Sequence, residues 1–299
     1  MGSTLSKEGF IPYRGHKVWY GIVGEREKQG KHPLLCLHGG PGASHDYLTP
    51  LSVIADTGRR VIFYDQLGSG KSDHPDNPDM WTVELYVEEV DVIRDTLGLD
   101  GVHVLGQSWG GQLALEYALT EPSGLVSLIL ADSLADMSQW VSEVNRLRAQ
   151  LPQEIQETLS KHEAEGTTDD PAYEEATMEF YRRHVCRLAE WPEVVNRAFE
   201  NLMKYPQVYN TMWGPNEFNV TGTLRDWSVV DRLGEIGVPT LILSGRYDES
   251  TPAINETIHE GITGSEWVIF ENSAHFPHLE EPEKYLVVLN DFLNRVESQ

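Results

Sequence analysis

Residues 102–119, VHVLGQSWGGQLALEYAL, run from an apolar strand-like stretch directly into an amphipathic helical one, and Ser108 stands where the period changes. Glycines at 106, 110 and 111 relieve the crowding of so tight a bend. A serine that merely capped the helix would account for the helix start, but not for glycine on both sides of it. A G-x-S-x-G at a strand-to-helix turn is the setting of a nucleophile elbow, which makes Ser108 the candidate nucleophile and predicts a parallel strand beneath it.

The same layout recurs along the chain. KVWYGIV and PLLCL end at HGGPG; RRVIFYD runs into QLGSGKSD; LVSLILAD runs into SLADMS. Amphipathic stretches such as TVELYVEEVDVIRDTLG separate these runs, so strands and helices alternate. That order predicts an α/β fold, a mostly parallel central sheet with helices on both faces and polar loops of the site at the strand C-terminal ends. Between about residues 134 and 232 the β-branched runs give way to QWVSEVNRLRAQL, PQEIQETLSKHEAEG and PAYEEATMEFYRRHVCRLAEW, which read as a helical insertion. The strand pattern resumes in VPTLILSGRYDE and SEWVIFENSAH, and EKYLVVLNDFLNRV forms a last amphipathic helix. The expected division is a core of residues 1–133 and 233–299 around a cap of residues 134–232.

The 299 residues carry 23 basic and 47 acidic side chains, a net charge of −24, which disfavours nucleic acid or an anionic membrane surface as a partner. No stretch approaches a bilayer-spanning length, and no basic-then-apolar leader is apparent, so a cytoplasmic protein is expected. The opening residues Met1–Ser6 fit the loose N-myristoylation pattern M-G-x-x-x-[ST], but one acyl chain without a basic cluster anchors only marginally. Cys36 and Cys186 read as idle thiols in a reducing compartment.

A serine hydroxyl needs a base, an orienting acid and oxyanion donors. The strand TLILSGRYD delivers Asp248 and the strand WVIFENSAH delivers His275, giving the chain order Ser, Asp, His. His278 competes as base but follows Pro277 on the approach to the last helix. Two histidines without a third ligand do not make a metal site, so no metal is expected. Asp132 also ends a strand and is the alternative orienting acid; otherwise it would cap the first helix of the insertion. In HGGPG, residues 38–42, the Gly40 N–H together with the Trp109 N–H would form the oxyanion hole. DQLGSGKS, residues 65–72, resembles a phosphate loop but has Asp65 where that motif needs glycine, so no nucleotide is expected.

The combination of HGGPG, YDQLGSGKSD, GQSWGGQLALEYAL, GRYDEST and NSAH, with the segment YNTMWGPNEFNVTGTLRDWSVVDRL, resembles the proline iminopeptidases of the α/β-hydrolase fold. It looks especially similar to their tricorn-interacting aminopeptidase branch and amino-acid amidase relatives. The resemblance implies an α/β-hydrolase fold and a serine aminopeptidase without cofactor, acting on small peptides or amino-acid amides with a free N-terminus, proline favoured. Its alternative is an L-amino-acid amidase or esterase using the same triad. It also implies that Glu217 of GPNEF and Glu249 hold the substrate's α-amino group, a task for which a desolvated carboxylate pair is suited. Of the insertion's aromatics, Trp140, Tyr209 and Trp213 among them, Tyr209 is the one expected in the substrate pocket.

Overall fold

The computed structural model describes residues 4–298, so the N-myristoylation pattern at residues 1–6 lies largely outside the described residues. Among them are eight strands in one sheet: β1 (Lys7–Tyr13), β2 (His16–Val23), β3 (Leu34–Leu37), β4 (Val61–Tyr64), β5 (Val102–Gln107), β6 (Leu125–Ala131), β7 (Thr240–Gly245) and β8 (Glu266–Phe270). Their spatial order is β1-β2-β4-β3-β5-β6-β7-β8. The β1–β2 and β2–β4 pairs are antiparallel and the remainder parallel. The strand β1, KEGFIPY, is not foreshadowed by an apolar run. It is an edge strand bearing Lys7, Glu8 and Pro12, which discourage pairing with another chain.

Strands β3, β4, β5 and β7 are buried along their whole length, which is why they read as largely apolar runs without the alternation of a half-exposed strand. Alternate residues feed two cores. Leu35, Leu37, Val104, Leu128, Leu130 and Ile242 pack on one face, and Leu34, Cys36, Leu105, Ile129, Ala131, Leu241 and Leu243 on the other. Helices α1 (Val83–Leu97) and α2 (Trp109–Ala118) supply the first face. The 3₁₀ helix His45–Thr57 supplies the second, together with the C-terminal helix given below.

Five α-helices lie between β6 and β7 in the chain: α3 (Met137–Arg148), α4 (Gln153–Glu165), α5 (Pro171–His184), α6 (Glu193–Lys204) and α7 (Gln207–Met212). The cap of α3 is Asp136, whose carboxylate accepts the Gln139 N–H at 2.6 Å, and not Asp132. After β7 come α8 (Pro252–Gly261), then β8, the short α9 (Pro277–Glu280) and α10 (Pro282–Val296). No helix among the described residues is long and apolar enough to cross a membrane.

In the parallel part of the sheet, Leu37 pairs with Gly106, Gly106 with Leu130, Ala131 with Leu243 and Gly245 with Phe270. The C-terminal ends of β3, β5, β6, β7 and β8 are therefore level along one edge. HGGPG, Ser108, Asp132, Asp248 and His275 all follow those ends.

Candidate active site

The chain bends at Ser108 with φ 56° and ψ −125°, a conformation that a non-glycine residue holds only when its surroundings enforce it. The enforcement is visible in two glycines. A Cβ on Gly106 would lie 2.0 Å from the Gly110 carbonyl oxygen, and one on Gly110 would lie 2.1 Å from the Leu37 carbonyl oxygen. The elbow, its helix and the end of β3 touch backbone to backbone. The serine points into a cavity also walled by Gly40, Tyr209, Glu217, Glu249 and His275.

His275 Nδ1 is 2.7 Å from Asp248 Oδ1, which also accepts the Ser250 N–H at 2.9 Å. With Nδ1–H donated to the carboxylate, Nε2 is left to accept a proton. Burial opposes charging this imidazole, but the Asp248 charge and hydrogen bond, helped by Glu217, raise its pKa above the ordinary histidine range. His278 is arranged otherwise. Its Nε2–H donates to the Tyr47 carbonyl at 2.9 Å, and burial pushes its pKa down to about 4, so it stays neutral and structural.

In HGGPG, Gly40 has φ 113°, and a Cβ there would lie 2.7 Å from the amide nitrogens of both Gly42 and Ala43. Trp109 is the first residue of α2, where an N–H has no helical acceptor. Its buried indole donates to Gln66 Oε1 at 2.8 Å, and the Gln66 side-chain amide donates to the His38 carbonyl at 2.8 Å. His38 accepts the Gln66 N–H on Nε2 at 3.0 Å, and its Nδ1–H donates to the Gly39 carbonyl at 2.9 Å. The histidine of HGGPG thus braces the loop against β4.

Glu217 and Glu249 come from different parts of the chain, the stretch after α7 and the loop after β7; both line the cavity, Glu249 buried and Glu217 half-buried. Tyr209 donates its hydroxyl to Glu217 Oε1 at 2.7 Å, and the Trp140 indole donates to the Glu217 carbonyl at 2.9 Å. Trp140 and Trp213 form an edge-on pair 5.3 Å apart in the core behind this wall. Glu249 Oε1 is 4.0 Å from His275 Nε2, and Glu249 Oε2 is buried with no partner. Burial, only partly offset by Tyr209 and His275, lifts the Glu217 pKa to about 7. Burial, Glu217 and Asp248 together lift Glu249 well above the usual carboxylate range. Two desolvated carboxyls with an unsatisfied oxygen form a place for a cation that brings its own hydrogen-bond donors.

Three residues without a sequence signal hold these loops together. The Gly39 N–H donates to the Tyr47 hydroxyl at 2.6 Å, Tyr47 donates to Gln107 Oε1 at 2.7 Å, and the Gln107 amide donates to the His275 carbonyl at 3.0 Å. This relay runs from the HGGPG loop through the elbow to the histidine loop. Glu280 accepts the Ala274 N–H at 2.8 Å and the Arg187 N–H at 2.7 Å. The insertion is fastened to the same loops, since the Glu249 N–H donates to the His184 carbonyl and the His275 N–H to the Val185 carbonyl, each at 3.1 Å. Val195, Ala198, Phe199 and Leu202 of α6 form the cavity's apolar wall.

The phosphate-loop lookalike binds an anion of its own. Asp65 accepts the His45 N–H and the Lys71 N–H, each at 2.8 Å, and a Cβ on Gly70 would fall on its carboxylate. Among the described residues, no group of three or more His, Cys, Asp or Glu is placed to hold a metal ion.

Comparison with known proteins agrees with this architecture. The model of the α/β hydrolase fold family matches residues 32–282. The chain is 43% identical over 289 residues to a protein from Clostridium botulinum named proline iminopeptidase, covering 96% of this chain and 98% of that one. A proline iminopeptidase of Saccharolobus solfataricus is 41% identical, covering 98% and 94%. Among solved structures, VinJ superposes with a TM-score of 0.95 at 44% identity, covering 98% of this chain and all of that one. Proline iminopeptidase from Mycobacterium smegmatis gives a TM-score of 0.91 at 42% identity, covering 97% and 99%. The chain belongs to the proline iminopeptidase family of α/β hydrolases.

Proposed function

We propose that this chain is a serine aminopeptidase that releases an unblocked N-terminal residue, proline favoured, from small peptides in the cytoplasm. The observation that carries the reading is the pair Glu217 and Glu249 lining one cavity, Glu249 buried 4.0 Å from His275 with one oxygen unpartnered. An N-terminal ammonium satisfies both carboxyls, whereas an acylated nitrogen brings no charge to offset their burial. The relatives' shared name supports proline as the residue released. The two free, buried cysteines suit a reducing compartment.

With the amine held there, the first carbonyl of the substrate lies over Ser108. The Ser108 Oγ attacks that carbon while His275 Nε2 takes its proton, and Asp248 stabilises the imidazolium. The N–H groups of Gly40 and Trp109 receive the developing oxyanion; each such donor is worth roughly 100- to 1000-fold in rate. His275 then protonates the leaving amine, and water attacks the acyl-enzyme with His275 again as base, regenerating Ser108. In this scheme residues 134–232 form a cap over a core of residues 1–133 and 233–299. Tyr209 acts in the pocket by fixing Glu217.

A panel of proline, leucine and phenylalanine anilides, run beside simple acyl esters, tests the assignment. Proline anilide should give the highest kcat/KM. A fluorophosphonate should label the wild type and leave Ser108→Ala unlabelled and inactive. Faster turnover of a plain ester than of every aminoacyl anilide would replace this reading with an esterase.

A further inference from the structure

Asp132 follows β6, which pairs directly with β7, and is fully buried with φ 52°. A non-glycine residue rarely adopts that region, so its surroundings must hold it there. Its N–H donates to the Leu243 carbonyl at 2.8 Å and its Oδ1 accepts the Gly245 N–H at 3.1 Å, which turns the carboxyl toward the Asp248 loop. The two carboxyls are within hydrogen-bonding reach of each other. Asp132 Oδ2 and Asp248 Oδ2 are both buried, and neither finds a donor among the described residues. Two bare carboxylates within reach of each other in a desolvated site repel, while one shared proton satisfies both. Asp248 Oδ1 is already engaged by His275 and the Ser250 N–H, so the shared proton falls on the opposite oxygen.

We propose that Asp132 is a protonated positioning residue, whose Oδ2–H donates to Asp248 Oδ2 and holds that carboxylate in line with His275. The role is distinct from that of an orienting acid, because Asp132 contributes a donor and no charge. The groups around it agree. Asp248 from the loop after β7, Glu280 from α9, Tyr47 from the 3₁₀ helix and Tyr285 from α10 interact with it, and none is a cation. Burial, with Asp248 and Glu280 nearby, raises the Asp132 pKa well above the carboxylate range. The donated hydrogen bond draws charge from Asp248 and so tempers its influence on the imidazole.

The inference rests on assigning Asp248 and His275 to the triad, so its decisive readout does not depend on turnover. The infrared difference spectrum of wild type minus Asp132→Asn at neutral pH should contain the carbonyl stretch of a protonated carboxyl that shifts in D₂O. In kinetics on proline anilide, Asp132→Ala should lower kcat by about 10- to 100-fold with little change in KM, as expected for an unpaired buried acceptor. It should also move the imidazole limb of the pH profile upward. Asp132→Asn keeps the shape and supplies an N–H donor, so it should restore the rate to within about threefold and return the limb to its place. The proposal is overturned if the protonated-carboxyl band is absent. It is equally overturned if Asp132→Asn shifts the limb downward, as loss of a negative charge would. If Asp132→Ala does not fold, the spectrum and Asp132→Asn still decide. A protonated-carboxyl band in a protein whose Ser108 takes no fluorophosphonate would instead count against the triad and leave the proton in place.

Discussion

A carboxyl lifted to about 7, as Glu217 is, carries a proton on a large share of molecules at neutral pH, and an arriving ammonium must expel it. Binding of a free amine is therefore weakened as the solution is acidified. A competitive amine such as pyrrolidine isolates this effect from catalysis: its Ki should rise as pH falls below about 7, and Glu217→Gln should flatten that dependence while raising Ki at high pH. An unchanged acid limb in Glu217→Gln would assign the titration elsewhere. At this scale the sequence is uneven. That Ser108, Asp248 and His275 gather at one edge of the sheet is legible, because each follows an apolar strand of a parallel sheet. Tyr47, Gln107 and Glu280 are not legible, since a tyrosine on a 3₁₀ helix or a glutamate near the last helix carries no mark of the backbone groups it meets. Asp132 is visible as a strand-end acid, but whether it caps α3 or faces Asp248 depends on the pairing of β6 with β7.

At the scale of elements, the elbow is a tightly constrained joint. Gly110 brings α2 against the end of β3, and any side chain there must push on the Leu37 carbonyl at 2.1 Å. Gly110→Ala is expected to destabilise the fold by about 2 kcal/mol or more, because backbone atoms cannot give way as a flexible side chain can. Chemical denaturation measures the loss, and a neutral effect would mean that the close approach is not needed. The same shift would displace HGGPG from the elbow, so kcat should fall in the surviving folded fraction. The alternation of strand and helix is readable throughout the core, because β3, β4, β5 and β7 are buried on both faces and so are mostly apolar, their few polar residues, such as His103 and Gln107, being hydrogen-bonded. The strand β1 escaped because an edge strand with Pro12 and two charges lacks that pressure. The helices of the insertion were readable from their period, whereas the use of α6 as a pocket wall was not. An apolar face tells that a helix is covered, without telling by what.

Across the whole molecule, the end of α10 is clamped to the sheet by one carboxylate. Glu297 accepts from Arg59 Nη1 at 2.8 Å, Lys31 Nζ at 3.0 Å, the His32 N–H at 2.9 Å and His103 Nε2 at 3.2 Å. Burial works against its charge, but these donors hold its pKa down to about 2. Because the folded value is depressed, the stabilisation is fully present above the unfolded value near 4.5 and is lost as pH falls through about 2. Glu297→Gln should cost about 3 kcal/mol in urea unfolding at neutral pH, and the difference from wild type should shrink below about pH 4. A difference that persists unchanged into acid would show that shape, and not charge, is what Glu297 contributes. The fold as a whole brings four strand ends and a helical insertion around one cavity, in which Glu217 and Glu249 are proposed to select a free amine. The most direct test compares kcat/KM for proline anilide and its N-acetyl form in the wild type and in a Glu217→Gln, Glu249→Gln double variant. The wild type should prefer the free amine by at least about 30-fold, and the double variant should lose that preference to within about threefold. Equal turnover of both substrates by the wild type, or undiminished preference in the double variant, would contradict it.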